Sequence, residues 1–272
     1  MKLPVMTGVA ALAACLFVTP VLADKLDDII ASGVLRCAVT LDFPPMGLRD
    51  ADNKPAGFDV DTCADLAAAL GVKYEIVETP FPDRIPALVS GRADVGVAST
   101  SDTLERAKTI GFSIPYFAFN NVVLTRADTG IESYQDLAGK NLGSVAGVFE
   151  AIALEEDFNT WKAGGSFRTF QSQADVFLAL NQGQIDATVV TGTVAAATIA
   201  SGNFNGFKIA GEAPYLVDYV SLIAPRQEFG LLNYLNLFVH QQYRTGRYQE
   251  LFEKWVGAGA EPPALALGSI YY

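Results

Sequence analysis

Hydroxyl, carboxylate and guanidinium groups are concentrated in one short segment, residues 91–106. Small and β-branched residues alternate over 93–98, and this pattern predicts a short buried strand. The strand runs into Ser-Thr-Ser-Asp at 99–102, which can cap a helix that begins near Thr103 and carries Arg106 in its first turn. Backbone N–H groups, hydroxyls and a guanidinium together suit the binding of a small carboxylate. An ordinary capped helix, whose arginine pairs with a nearby acid, is the alternative interpretation.

The surroundings of this strand recur 92 residues further along the chain. The pattern Ala-Leu-x-x-Gly-x-x-Asp-x-x-Val starts at Ala87 and again at Ala179. In each copy a predicted helix ends at glycine, a short strand follows, and a β-α-β-α-β run is completed. The chain is therefore predicted to contain two related α/β lobes. Because ligands of open α/β sheets bind beyond the carboxyl ends of the strands, two facing lobes would share one cleft.

The N-terminus has the pattern of a cleavable signal peptide. Lys2 precedes an apolar run over 3–18, and Val-Leu-Ala at 21–23 forms a small-residue cleavage site. The run is too short to be a membrane span with proper flanks. A lipoprotein processing site at Cys15 is the alternative, but the residues after it are apolar where a polar tether is usual. We therefore expect export to the periplasm and cleavage after Ala23.

Charge and composition exclude several classes of function. Cleavage would leave 249 residues with a formal net charge of −12, a poor match for nucleic acid or an anionic membrane surface. His240 is the single histidine, on a helix expected on the outer side of the first lobe, so neither a catalytic triad nor a metal site is expected. Asp59 and Asp61 are interpreted as helix-capping acids. We expect no enzyme, no catalytic residues, no cofactor and no metal.

Two cysteines would remain after cleavage, Cys37 in the first strand and Cys63 on the inward face of the next helix. A disulfide between them is geometrically possible in an oxidising compartment. Two buried free thiols account for the same positions, and we favour the free thiols.

The coarse order of elements agrees with two lobes. Helices are predicted at 26–31, 60–70, 84–89, from 103, and at 149–157, 173–181, 194–200, 231–242 and 248–256. Strands are predicted at 35–40, 73–77, 93–98, 141–145, 167–170 and 187–191. The segments 116–126 and 214–222 are expected to cross between the lobes as a hinge, which would allow closure around a ligand.

Six motifs in this order resemble the periplasmic solute-binding proteins of the polar amino-acid uptake family. They are Val34-Leu-Arg-Cys-Ala-Val39, Asp42-Phe-Pro-Pro45, Gly57-Phe-Asp-Val-Asp61, Ser99-Thr-Ser-Asp-Thr-Leu-Glu-Arg106, Leu137-Ala-Gly-Lys-Asn-Leu-Gly143 and Gly246-Arg-Tyr248. The resemblance implies the type II periplasmic-binding-protein fold, in which two α/β lobes joined by two hinge crossings enclose a ligand cleft. The expected division is a signal peptide at 1–23, lobe 1 at 24–118 and 218–272, and lobe 2 at 119–217.

The resemblance also implies a role for individual residues. Arg106 would grip the α-carboxylate of the ligand with help from Ser99 and Ser101, and Phe43 would cover the ligand. The loop Gly-Val-Phe at 147–149 would present backbone N–H groups from the second lobe. The candidate ligand-binding residues are Phe43, Phe81, Ser99, Ser101, Arg106, Val148, Phe149, Glu150 and Thr191.

The cation side departs from the family pattern. Thr191 stands where members that bind ordinary α-amino acids often have an aspartate for the α-ammonium. Thr40 stands where some members have another acid, although Asp42 is near. A buried ammonium without a counter-charge is costly, so either another acid takes the role or the ligand is not a primary α-amino acid.

Glu150 is the best substitute for the missing acid. With Phe43, Phe81 and Phe149 it would suit a bulky or poorly hydrated cation, and small amino acids such as glycine or alanine would bind poorly. The alternatives are that Glu150 only favours a helix N-terminus from solvent, and that Phe81 belongs to the core.

These features predict the extracytoplasmic solute-binding component of an ABC importer. It would bind a small carboxylate-bearing amino acid or amino-acid-like zwitterion in the interlobe cleft, act as a monomer, and deliver its ligand to a permease in the inner membrane. An exported dehydratase of the cyclohexadienyl or arogenate type, with Glu150 as general acid, is one alternative. A sensory or accessory cleft protein is another.

Overall fold

The computed structural model describes residues 24–257 and Pro262. The expected signal peptide at 1–23 and the alternative processing site at Cys15 lie outside the described residues.

Helices and strands alternate through most of the described chain. The strands are β1 Val34–Val39, β2 Leu48–Arg49, β3 Pro55–Ala56, β4 Lys73–Glu78, β5 Val95–Ser101, β6 Ile110–Phe119, β7 Asn121–Arg126, β8 Asn141–Val145, β9 Ser166–Phe170, β10 Ala187–Thr191, β11 Phe207–Glu212 and β12 Asp218–Pro225. The α-helices are α1 Lys25–Ser32, α2 Phe58–Leu70, α3 Arg84–Val89, α4 Leu104–Ala107, α5 Phe149–Trp161, α6 Gln173–Asn181, α7 Gly192–Ala200, α8 Phe229–Arg244 and α9 Arg247–Trp255.

The strands form two sheets of five with the same design. The first sheet has the order β4-β1-β5-β12-β6, and the second has the order β11-β7-β10-β8-β9. In each sheet one strand runs antiparallel to the other four. It is β12 in the first sheet, where it pairs with β5 and β6, and β7 in the second, where it pairs with β10 and β11. We call the parts built on these sheets the first and the second lobe. The predicted fold of two α/β lobes is confirmed.

The chain changes sheet twice. It leaves the first sheet after β6 and enters the second at β7, and it returns between β11 and β12. The domain boundaries proposed at 118/119 and 217/218 remain a prediction.

Burial explains why these segments become strands at the centre of each sheet. All seven residues of β5 and all five of β10 are buried. Fully buried runs of this length suit central strands that helices cover on both faces. The largest cluster of buried apolar side chains extends from the first lobe into the second, through Phe43, Phe81 and Val148. The two lobes therefore touch across the cleft.

The observed elements correct the predicted ones at several places. Strand β11 was not predicted, and β6 begins at Ile110 rather than within the expected crossing segment. Strand β5 continues to Ser101, so the hydroxyl run belongs to the strand. Thr103 caps α4, because its side chain accepts a hydrogen bond from the backbone N–H of Arg106. The helix cap therefore lies one residue beyond the predicted run 99–102.

The preference for two free thiols is wrong. Cys37 on β1 and Cys63 on α2 form a disulfide, with their Cα atoms 6.3 Å apart. Both side chains are fully buried, and the bond ties the helix after the first long loop to the central part of the first sheet.

The described residues contain neither a membrane-spanning helix nor a cluster of metal-ligating side chains. No helix within 24–257 is long and apolar enough to cross a membrane. In the same part of the chain no group of three or more His, Cys, Asp or Glu side chains is placed to hold a metal ion.

Candidate functional site

Two arginines of the first lobe meet one carbonyl of the second. Arg106 donates from Nη1 to the carbonyl of Ser101 at 3.0 Å and from Nη2 to the carbonyl of Gly147 at 2.7 Å. The buried Arg84 donates from Nη2 to the same Gly147 oxygen at 2.8 Å. The N-terminal end of α4 positions Arg106, as the sequence predicted, and brings it to the loop before α5.

Arg84 was missed by the sequence analysis. It begins α3 and is only 2% exposed, and its Nη1 donates to the carbonyls of Ala98 and Ser99, each at 2.9 Å. Burial and the nearby charge of Arg106 lower its pKa to about 9. The signal for it was an arginine at the start of an otherwise apolar helix, Arg-Ile-Pro-Ala-Leu-Val. Such a charge must be exposed or find partners in the interior.

Ser99 is held by a buried network beneath these arginines. Its backbone has φ of 46°, in the left-handed region that residues other than glycine rarely adopt. Its N–H donates to the Tyr116 hydroxyl at 3.1 Å, and its Oγ donates to Asp59 at 3.3 Å. The Tyr116 hydroxyl donates to the other oxygen of Asp59 at 2.7 Å. The carbonyl of Ser99, turned toward Arg84, is thereby fixed in direction.

The interpretation of Asp59 as a capping acid is wrong. Asp59 is 1% exposed and accepts from Tyr116 and Ser99. Burial raises its pKa to about 8, and its hydrogen bonds with Tyr116 and Ser99 only partly oppose this rise. Asp61, by contrast, is half-buried and pairs with Lys254 and the indole N–H of Trp255.

Two buried acids lie close enough to both arginines to interact electrostatically with them. Asp218, at the start of β12, accepts from the Ser101 hydroxyl at 3.1 Å, and burial raises its pKa to about 6. Glu150, in the first turn of α5, is 3% exposed, and burial and the charge of Asp218 raise its pKa to about 7. Arg84 and Arg106 oppose the rise for each acid. The alternative that Glu150 faces solvent is therefore wrong.

Asp218 was not predicted as a site residue. It stands in the second crossing segment, far in sequence from every motif, and no local pattern marks it. Its position follows from the pairing of β12 with β5, which places Val220 beside Ser101.

Asp42, which the sequence analysis considered as an acid near the cation side of the ligand, bonds to the protein backbone instead. Its carboxylate accepts from the backbone N–H of Gln173 in the second lobe at 2.7 Å. That carboxylate thus lies on the first turn of α6.

Thr191 lies at the carboxyl end of β10, directly opposite Asn121 on β7. Both side chains are at most 3% exposed. Among the described residues, neither the Thr191 hydroxyl nor either amide atom of Asn121 has a hydrogen-bond partner. Residues directly opposite in an antiparallel pair share one face of the sheet, so these three polar atoms form a common surface at the cleft end of the second lobe. Unpartnered buried polar atoms call for an explanation, and their position makes Thr191 and Asn121 candidates for contact with a ligand.

The predicted aromatic residues divide into two groups. Phe43 and Phe81 are both 3% exposed and meet edge to face, with ring centroids 4.9 Å apart. The guanidinium carbon of Arg84 lies 4.8 Å from the Phe81 centroid. Phe81 therefore belongs to the core and also contacts the buried arginine. Phe149 is half-buried against Tyr215, with centroids 6.3 Å apart.

The loop before α5 approaches the first lobe closely. Gly147 has φ of 79°, and a Cβ built on it would lie 3.5 Å from the Cα of Pro82. Val148 is buried and occupies the N-terminal cap position of α5, where its side chain makes no capping bond. The loop turns its Gly147 carbonyl, rather than an N–H group, toward Arg106. The N–H donation expected of 147–149 stays a prediction.

Comparison with known proteins places this chain in a family. Residues 35–258 match the model of "Bacterial extracellular solute-binding proteins, family 3". The chain is 28% identical over 228 residues to the arginine-binding extracellular protein ArtP of Bacillus subtilis, an alignment that covers 81% of this chain and 85% of ArtP. It is 26% identical over 235 residues to a cyclohexadienyl dehydratase of Pseudomonas aeruginosa, covering 85% of this chain and 86% of the enzyme.

Among solved structures, a mutant of ArgBP from T. maritima superimposes with a TM-score of 0.78 at 29% identity, covering 85% of this chain and 98% of that one. The likeness extends over both lobes and therefore over the cleft between them. Together with the family match over 35–258, it supports one conclusion: the chain belongs to the bacterial extracellular solute-binding proteins, family 3.

Proposed function

We propose that this chain is the periplasmic binding component of an ABC importer for an amino acid or a closely related zwitterion. The observation that carries the proposal is the group of two buried or half-buried arginines and two buried acids at the interlobe contact. Arg106 and Arg84 would hold the carboxylate of the ligand, and Glu150 and Asp218 would hold its cation. The same proposal includes delivery of the ligand to a permease in the inner membrane. It also includes a monomeric state of the protein.

Charge balance supports a ligand without net charge. With both acids ionised, the two arginines and the two acids sum to zero, whereas Asp59, with its pKa of about 8, is mostly protonated near neutral pH. A neutral zwitterion adds one partner for each sign and leaves no charge uncompensated in a buried site. A cationic or anionic amino acid would add a charge that needs another counter-charge or solvent.

We infer that ordinary neutral amino acids bind better than the sequence analysis expected. The expectation of poor binding rested on Thr191, which leaves the α-ammonium without the usual aspartate. Asp218 and Glu150 supply acids beside Arg106, so the alternative that another acid takes the role is now favoured. Asp42 is not that acid, because its carboxylate bonds to Gln173.

A thermal-shift screen tests the proposal. The panel contains L-glutamine, L-alanine, L-arginine, L-glutamate, glycine betaine and ectoine, so that net charge and cation type vary separately. A ligand present at a hundred times its dissociation constant adds about 2.7 kcal/mol to the free energy of unfolding. We expect the neutral α-amino acids to give the largest shifts. No shift from any zwitterion, with the protein folded, would contradict the proposal.

A dehydratase is the second candidate, and one observation favours it. Glu150 has a pKa of about 7, so a substantial fraction is protonated near neutral pH, beside arginines suited to a carboxylate. A protonated carboxyl in that position suits a general acid that protonates a leaving hydroxyl. Incubation with prephenate and with arogenate, followed by detection of the aromatic product, separates the two candidates. Turnover by the wild-type protein that is lost in Glu150→Gln would favour the dehydratase over the binding component.

A further inference from the structure

The two lobes touch through a second polar contact, outside the cluster of arginines and acids. Asp42 follows β1 in the first lobe, and its carboxylate accepts from the backbone N–H of Gln173, the first residue of α6 in the second lobe, at 2.7 Å. Asp42 and Gln173 are 131 positions apart in the chain and belong to different lobes. The contact therefore exists only when the lobes approach. Gln173 is buried and Asp42 is half-buried, which limits access of water to the bond.

The end of α6 needs a partner of this kind. The first N–H groups of a helix have no acceptor within the helix. Ser172 caps α6 from within the second lobe, because its hydroxyl accepts from the N–H of Asp175. The N–H of Gln173 takes its acceptor from the other lobe instead. A carboxylate at this position also matches the positive end of the helix dipole.

The two interlobe contacts respond differently to a ligand. Arg84 and Arg106 both donate to the Gly147 carbonyl, and a ligand carboxylate would compete with that oxygen for the same N–H groups. Nothing in the proposed binding mode competes for the Asp42–Gln173 bond. A bound ligand would therefore replace the arginine contacts that join the two lobes. The Asp42–Gln173 contact would remain and would add to the contacts of the ligand.

We propose that Asp42 is a positioning residue that sets ligand affinity by holding the second lobe closed through the first turn of α6, without touching the ligand. This inference rests on the proposed binding function for its effect on affinity, but not for its effect on the distance between the lobes. Since the bond forms after the lobes meet, its loss should speed dissociation of the ligand more than it slows association.

The test measures the interlobe distance directly. Spin labels at Glu75→Cys on β4 and Glu156→Cys on α5, both exposed positions, report the distance distribution in the protein without added ligand. In Asp42→Ala we expect the distribution to shift to longer distances. The matched control is Asp175→Asn, which removes an acid from the first turn of the same helix but from within the second lobe. Because Asp175 repels the Asp42 carboxylate, the control should leave the distribution at its wild-type position or shift it to shorter distances.

Stopped-flow binding of L-glutamine gives the second readout. We expect Asp42→Ala to weaken affinity about tenfold, which corresponds to about 1.4 kcal/mol, mostly through a faster dissociation rate. Asp42→Leu keeps a similar side-chain volume and removes both acceptor oxygens, and it replaces Asp42→Ala as the test should that variant fail to fold. If glutamine does not bind the wild-type protein, the proposed function fails, but the distance measurement still tests whether Asp42 holds the lobes together. An unchanged distance distribution in the Asp42 variants, or equal opening in Asp175→Asn, would overturn the inference.

Discussion

The two lobes prepare the cleft in opposite ways. On the first lobe, Asp59, Tyr116, Ser99 and Arg84 bond to one another in sequence, so the backbone and the guanidinium are fixed before anything binds. On the second lobe, Asn121 and Thr191 place polar atoms together without partners among the described residues. The polar groups of the first lobe are pre-organised, because their hydrogen bonds form when the protein folds. Under the proposed function, the polar atoms of the second lobe would gain their hydrogen bonds from the ligand.

Under the proposed function, this difference would allow a two-lobe binding protein to be both stable and selective. Rigid groups bind a ligand without a further entropic cost, which favours capture by the first lobe. Groups that lack partners stabilise the closed state only when the ligand offers matching donors and acceptors. Substitutions on the first lobe should therefore change stability as well as binding, whereas those on the second should change binding alone.

The largest expected effect is on stability at Arg84. Arg84→Met removes the donor for the carbonyls of Ala98 and Ser99 inside the first lobe and should lower the free energy of unfolding by about 3–5 kcal/mol. Arg106→Ala, at a half-buried position, should lower it by less than about 1 kcal/mol. Urea unfolding of both variants measures the contrast. Equal losses for the two arginines would remove the distinction between a folding role and a binding role.

The network under Ser99 should make stability depend on pH. The pKa of Asp59 is raised from 3.8 in the unfolded chain to about 8 in the fold, so its contribution is complete below about pH 4 and is lost as pH rises to about 8. Asp59→Asn cannot ionise and should therefore gain about 1–3 kcal/mol relative to wild type between about pH 5 and pH 8. Thermal unfolding across this range measures the gain. Parallel curves for the two proteins would show that Asp59 is ionised in the fold.

On the second lobe, Glu150 should make ligand binding depend on pH. Its pKa is about 7, and a ligand cation pairs only with the ionised form. Affinity should fall as pH drops below about 7, by at most about tenfold per pH unit. Calorimetric titrations at several pH values should show this slope in wild type and a flatter profile in Glu150→Gln. A slope that persists in the variant would assign the proton to another group, Asp218 first.

The smallest effect is expected at Asn121. Asn121→Leu keeps a similar volume and removes the unpartnered amide, so the free energy of unfolding should stay the same or rise slightly. Affinity for the ligand should fall by about 1 kcal/mol, the usual worth of one hydrogen bond. Tyr116→Phe is the contrasting change on the first lobe, since it should lower stability. A loss of stability in Asn121→Leu would show that the amide has a partner in the fold.

Much of the architecture follows from sequence pattern. The helices at 84–89 and 173–181 and the strands at 141–145 and 187–191 have the predicted bounds, because apolar periodicity and glycine stops act locally. Strand β11 was missed because its residues are only partly buried and include Lys, Gly and Glu. The disulfide was missed because pairing depends on how α2 packs against β1, which spacing alone does not determine.

The sequence analysis found candidate residues where polar and charged side chains are clustered in the chain, and it missed those that are dispersed. Arg106 stood beside a run of hydroxyl residues, and that local concentration identified it. Asp218 and Arg84 come to the same place only through strand pairing and helix packing, so no segment of sequence contains the signal. Asp59 was misread because acids in the first turn of a helix usually face solvent, and its burial is a tertiary property.

Calorimetric titration of Arg106→Ala is the most direct test of the account. The ligand is the amino acid that gives the largest thermal shift, and the matched control is Lys108→Ala, an exposed lysine two positions further on that pairs with Glu105. We predict that Arg106→Ala weakens binding by about 2–5 kcal/mol while the control binds as wild type. Near-wild-type affinity in Arg106→Ala would contradict the carboxylate site and, with it, the proposed function.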